Sequence, residues 1–139
     1  MADPSEIADA LLARAATLTV GSPALPISMP EVAFDPAADA TDGKYVEVQF
    51  QPNRPAWEGV SSGRQDQGLL QVTVVWPADR GLIGPLQHVQ DVLDHFAKDT
   101  VMISGSAKVK VYAEPWAASP LTEASELRIP VTIPWKASA

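Results

Sequence analysis

A chain of 139 residues with no cysteine and a formal net charge of −7 is the length of one domain, able to bury roughly two thirds of its unfolded surface around a single core. The missing cysteines exclude a disulfide framework, a thiolate metal site and a cysteine nucleophile. The acidic balance, 10 Lys and Arg against 17 Asp and Glu, disfavours a broad phosphate-neutralising surface and with it direct nucleic-acid binding. No apolar run approaches the ~20 residues that span a bilayer, and no basic segment followed by an apolar one opens the chain. A protein without an export signal or membrane span is therefore expected.

The first helix is predicted to begin at Asp3, with the carboxylate as cap, Pro4 at the first helical position and Glu6 completing a capping box. Ile7, Leu11, Ala15 and Leu18 recur at helical spacing, so one face packs on a sheet, with Arg14 at the edge of that stripe as a snorkelling or interface residue. Ser22 to Gly43 holds four prolines and little periodicity. Its apolar residues, Leu25, Ile27, Met29, Val32 and Phe34, predict an extended segment, with a short edge strand, lying against the body or a neighbouring subunit.

Tyr45, Glu47 and Gln49 alternate with Val46, Val48 and Phe50, an amphipathic strand. Gly68 opens the strongest strand signal, in which Leu70, Val72, Val74 and Trp76 share one apolar face and Pro77 closes the run. This strand is expected at the centre of the sheet. The two strands are consecutive, so residues 51–67 form the tip of a long hairpin. That tip carries Trp57 between Arg54 and Arg64, residue types enriched at interface hot spots.

A second helix is expected from Gly81 to Lys98, packing Leu86, Val89, Val92, Leu93 and Phe96. Short strands follow at Val101 to Ile103 and Lys108 to Ala113. The last strand presents Leu127, Ile129, Val131 and Ile133 on one face and ends at Trp135; Pro130 and Pro134 predict an edge position or bulges for it.

Chemistry is scarce. His88, Asp91 and His95 share one arc of the second helix, a geometry able to hold a divalent metal but without a fourth ligand or an HExxH pattern, so a solvated polar face is the plainer reading. Glu114, Glu123 and Glu126 surround the third loop, and nothing in their spacing sets one apart as an acid or base. Phosphate-binding glycine loops and the hydrolase elbow are absent from the sequence. Neither an enzyme nor a bound cofactor or metal is expected.

Tyr45-Val46-Glu47-Val48, Gly63-Arg64, Gly68 to Val74, the Pro77 to Gly81 turn, Phe96 and Val131-Thr132-Ile133-Pro134-Trp135 carry a resemblance to the tail terminator proteins of long-tailed bacteriophages, more narrowly to the lambda-type family. The resemblance covers nearly the whole chain as one domain over 1–139, and none of its short motifs is catalytic. It implies an α+β fold with a mostly antiparallel sheet of about four to five strands, two helices packed on one face and long proline-rich loops. It also implies a homo-oligomer, usually a hexameric ring, at the head-proximal end of the tail tube in the neck of the virion, assembled in the host cytoplasm. Such a ring stops tube polymerisation and offers the surface to which the head joins. Its partners would be the tail tube protein and a head-completion protein of the connector, with DNA passing through the lumen unbound and no membrane involved.

On this reading the ring closes through the sheet edge and the first long loop of neighbouring subunits. Arg54, Trp57 and Arg64 at the hairpin tip then reach the tail tube, with Arg80 in the turn after the central strand as a further contact. Two alternatives remain. One is another neck component, a head-completion or tail-completion protein. The other is a carbohydrate- or receptor-binding module, which requires at least two of the tryptophans exposed on a flat face, whereas Trp76 and Trp135 are expected to be buried.

Overall fold

In a computed structural model, which describes residues 3–21, 24–53, 56–57 and 64–138, with the backbone alone at 56–57 and 64–65, the first helix, α1 (Pro4–Ala16), starts where its cap predicts. The Asp3 carboxylate accepts from the Ser5 backbone N–H at 2.8 Å and from its hydroxyl at 2.6 Å. Those bonds, the hydroxyl first, hold the Asp3 carboxyl below its ordinary pKa. Ile7, Leu11, Ala15 and Leu18 are buried. Glu6 does not close the expected capping box. Its carboxylate instead accepts from the backbone N–H groups of Ser106 and Ala107 at 2.7 and 3.2 Å, pinning the helix to a distant turn.

Nine strands follow in chain order: β1 (Ile27–Ser28), β2 (Tyr45–Pro52), β3 (Ala56–Trp57), β4 (Arg64–Pro77), β5 (Val101–Ser104), β6 (Ala107–Val111), β7 (Trp116–Ala117), β8 (Leu121–Glu123) and β9 (Glu126–Ser138). A four-residue helix, α2 (Pro36–Asp39), lies before β2, and α3 (Ile83–His95) follows β4. Eight strands make one curled, mixed sheet whose main path runs β1-β2-β4-β9-β6-β5. β1 joins β2 in parallel, and the other pairings are antiparallel. β7 and β8 also pair with β9, and β3 pairs with the start of β4.

This architecture overturns the expected α+β fold with a mostly antiparallel sheet of four to five strands. The molecule is sheet-rich, a half-barrel with two long helices and one short one. The extra strands, β3, β7 and β8, are two or three residues long and lie inside proline-rich connections, while β1 is the short edge strand expected in the segment after α1. Such lengths hold too few alternations to leave a period-two signal.

The last strand is a second correction, because β9 is interior and no edge. β4 lines one side of it, while β8, β7 and β6 succeed one another along the other. Pro130 and Pro134 fall in the breaks between those three neighbours. The Pro130 carbonyl accepts from Ala118 N–H at 2.8 Å on that broken side. Its nitrogen faces the same way, as does that of Pro134 four residues on. The ladder to β4 therefore loses no donor.

β4 lies between β2 and β9, as expected of the central strand, but it begins at Arg64 rather than Gly68. Gly68 stands inside it at a close approach: a Cβ there would come within 2.6 Å of both the Gln51 carbonyl oxygen and the Trp135 ring. Leu70, Val72, Val74 and Trp76 meet Val46 and Val48 of β2 and Ile129, Val131 and Ile133 of β9 in one buried core. Both long helices pack on this face, α1 through Ile7 and Leu11, α3 through Val89 and Val92. Each such side chain contributes ~1.5–3 kcal/mol by leaving water. Leu86, expected among them, is exposed, and Pro85 is buried in its place.

Candidate functional site

The hairpin expected between the two longest early strands is present. β2 and β4 pair from Tyr45 opposite Val75 to Pro52 opposite Gly68, and beyond them Trp57 of β3 stands opposite Arg64 of β4. Two of the candidate contact residues are thus brought together as cross-strand partners at the tip. The side chains of Trp57 and Arg64, together with Arg54, Gly63 and residues 58–62, lie outside the described residues. β4 continues past its last pairing with β9, Asp66 opposite Ala137, so residues 64 and 65 and their β3 partners project from the sheet.

Arg80 is separated from this tip. It is exposed in the turn that follows the other end of β4, with Asp79 (φ 64°) and Gly81 (φ 82°) in left-handed conformation on either side. Fourteen strand residues lie between the two ends, on the order of 40 Å. Arg80 lines a separate hollow of about 500 Å³ with Pro36, Asp42, Tyr45 and Glu126.

The two histidines and Asp91 are engaged apart from one another. His95 Nε2 donates to the Arg14 carbonyl at 2.8 Å, while Arg14 donates from Nη2 to the His95 carbonyl at 2.8 Å. Asp91 accepts from Gly21 N–H at 3.3 Å, and His88 stands edge-on to Trp76 with ring centres 4.9 Å apart. Arg14 is therefore an interhelix contact and the polar arc of α3 is a packing surface. Among the described residues no three His, Asp or Glu side chains are placed to share a metal ion.

Across the outer face of the sheet, Arg128 donates to Glu47 at 2.9 Å and to Glu126 at 3.3 Å. Burial alone would lower the Arg128 pKa, but its hydrogen bond to Glu47 and that carboxylate's charge leave it raised. Burial, followed by the charge of Glu126, raises the phenol of Tyr45 above its usual value. Glu126 is thus an ion-pair partner, and Glu114 and Glu123 are exposed at the surface.

Trp76 and Trp135 are buried, as expected, and Trp116 is 51% exposed on β7. Among the tryptophans with described side chains, only Trp116 is exposed, so no flat pair of rings is formed by them.

A further feature arises only from strand pairing. Register places Val101, Lys110 and Lys136 in one row across β5, β6 and β9, and Ile103, Lys108 and Ser138 in the next. The two rows make a basic and apolar face beside β5, which has no strand beyond it among the described residues, with a hollow of about 340 Å³ lined by the three lysines and Tyr112. Lys108-x-Lys110 predicts two charges on one strand face, but the approach of Lys136 depends on a pairing that spacing alone does not specify.

Compared with known proteins, residues 6–135 match a family model described as phage tail terminator protein. A solved structure aligns over 95% of this chain and 96% of its own length with a TM-score of 0.75 and 22% identity, a likeness in fold alone. Among curated proteins none matches significantly. Among the described residues no helix is long and apolar enough to cross a membrane.

Proposed function

We propose, from the premise that this chain belongs to the phage tail terminator family, that its structural role in the phage tail is to cap the tube. Copies of the chain, six in the usual arrangement, assemble as a ring on the head-proximal end of the tube. There the ring stops polymerisation and presents the surface to which the head joins. The observation that carries this reading is the family match over nearly the whole chain. The fold supplies a physical basis, because the main sheet path ends in β1 on one side and β5 on the other. Two different edges, each without a further strand among the described residues, suit a heterologous contact, which closes into a ring when the rotation between subunits permits.

The projecting tip, with Arg54, Trp57 and Arg64, is the proposed contact with the tail tube protein, and Arg80 is a further contact made separately at the opposite end of β4. A head-completion protein occupies the remaining axial face. The net charge of −7 suits a lumen through which DNA passes without adhering. The role is structural, and no enzymatic step is proposed.

The test is the mass of the purified protein by light scattering, alone and with tail tubes, followed by negative-stain imaging. Rings, or one cap on one end of each tube together with arrested growth, are expected. A monomer that ignores tube ends at every concentration would overturn the reading, and binding to the portal or head alone would assign the chain to head completion instead.

A further inference from the structure

The face formed by β5, β6 and the end of β9 carries an electrostatic conflict. Lys110 and Lys136 stand directly opposite each other in the β6–β9 ladder, and like charges in that position repel. Lys110 reaches Asp99 at 3.3 Å, with both side chains half exposed or more, and Lys136 lies over the Tyr112 ring at 4.6 Å. Lys108, two residues before Lys110, has no ion-pair partner among the described residues. Three positive charges are thus gathered on a chain of net charge −7. Beside them Val101 and Ile103 are 45% and 70% exposed, and β5 has no strand beyond it among the described residues.

At the other end of the sheet path the charge is opposite. Between Arg14 and Lys44 the chain contains no Lys, Arg or His, while Glu31, Asp35, Asp39 and Asp42 are all exposed in the segment that leaves β1. None of the four has an ion-pair partner among the described residues. Asp35 and Asp39 are held in place by the short helix: Asp35 accepts from Ala37 N–H and Asp39 from Asp35 N–H. They are therefore presented at fixed positions, at little further cost in side-chain entropy on pairing.

We propose that the basic β5–β6 face of one copy seats the acidic 31–42 segment of the next copy, Val101 and Ile103 being covered in the same contact. The occupant is a second copy of this chain, because one molecule carries both surfaces, the basic one only partly neutralised by Asp99, at opposite ends of its sheet path. The inference rests on the ring reading and gives it a direction. Each subunit offers its basic edge forward and its acidic segment backward, a head-to-tail arrangement that leaves neither surface unpaired when the ring closes.

The experiment compares assembly mass, by light scattering with and without tail tubes, for three chains whose folding is checked by circular dichroism. These are the wild type, Lys108→Glu with Lys110→Glu, and that pair combined with Glu31→Lys and Asp39→Lys. The first pair is expected to raise the concentration for half-assembly roughly tenfold or more, and the fourfold exchange to restore it. Wild-type assembly should weaken as salt rises from about 0.05 to about 0.5 M. If the glutamate pair does not fold, Lys108→Gln with Lys110→Gln replaces it and should reduce the salt dependence.

Normal rings from the folded reversal variant would overturn this contact and leave the ring reading standing. Failure of the fourfold exchange to restore assembly would likewise overturn it, as would a head-completion protein binding the lysine face with ring mass unchanged. A wild-type chain that stays monomeric alone and on tubes would overturn both readings.

Discussion

Arg14 and His95 each hydrogen-bond the other's main-chain carbonyl: the guanidinium donates to the His95 oxygen at 2.8 and 3.2 Å, and the imidazole Nε2 donates to the Arg14 oxygen at 2.8 Å. Both carbonyls belong to last turns, of α1 and α3; that of Arg14 also accepts from the Thr17 N–H and hydroxyl, at 3.2 and 2.7 Å. The Arg14 guanidinium therefore satisfies the end of α3 and sits at its negative pole, while the imidazole adds a further donor to the end of α1. The pair fixes the two helices in register on the sheet.

Because the two side chains share one geometry, the effects of losing them should not add. Arg14→Ala and His95→Ala are each expected to destabilise the fold by about 1–2 kcal/mol in urea unfolding. The double variant should fall short of the sum by about 0.5 kcal/mol or more. Strict additivity would show that the two contacts are independent.

Gly68 offers a sharper steric test. In Gly68→Ala the new methyl meets the Gln51 carbonyl, the Trp135 ring and Pro52 Cα, two of them backbone atoms that cannot swing away. A loss of about 1–3 kcal/mol is expected, with a change in Trp135 fluorescence. Gly81→Ala is the contrasting case, since a Cβ there meets nothing within 4 Å and the cost comes only from its φ of +82°. It should be the milder of the two, and the reverse order would show that Gly68 has room to relax.

The Glu6 carboxylate joins α1 to the turn between β5 and β6 by accepting from two main-chain N–H groups and the Ser106 hydroxyl. Glu6→Ala should cost about 1–3 kcal/mol. It should also speed hydrogen exchange at the amides of Ser106 and Ala107 ahead of the rest of the sheet. Unchanged exchange at those two amides would remove the link.

Alkaline stability should depend on Tyr45. Burial, with the charge of Glu126 behind it, raises its pKa in the folded state. The resulting stabilisation is complete below the unfolded value of about 10 and is lost as pH rises through the higher folded value. Tyr45→Phe cannot ionise, so unfolding of the two proteins in urea should shift in favour of the phenylalanine form above about pH 10. A difference that stays constant from pH 8 to pH 11 would contradict the assignment.

Where alternation is long and one face is buried, the chain is legible. Tyr45 to Phe50 and Leu70 to Trp76 declare their faces in the order of their residues, because a slip of one position would turn Val46 or Val72 to the wrong side. Asp3 marks the helix start through a bond two residues away. The destination of Glu6, a hundred residues on, has no local signature, and the capping pattern points to a nearer acceptor site that stays unused. Pro130 argues for an edge only while the neighbouring strand is imagined as continuous; the breaks around β7 reverse that conclusion. At the proposed contacts, Trp57 and Arg64 stand out by residue type, whereas the lysine row exists only in the register of β5, β6 and β9.

The placement of β9 bears on how the molecule is made. It borders β4, β6, β7 and β8, and it is synthesised after all of them. While the ribosome is still adding residues 78–125, β4 has only its hairpin partner β2 and the small β3, and one whole flank of its backbone waits unpaired. Long-range strand pairings of this kind form slowly, and exposed flanks of this kind attract other chains. Completion of the sheet is therefore a late event in the life of each copy, and a nascent chain halted before Glu126 would present the unpaired flank of β4 to whatever strand is nearest.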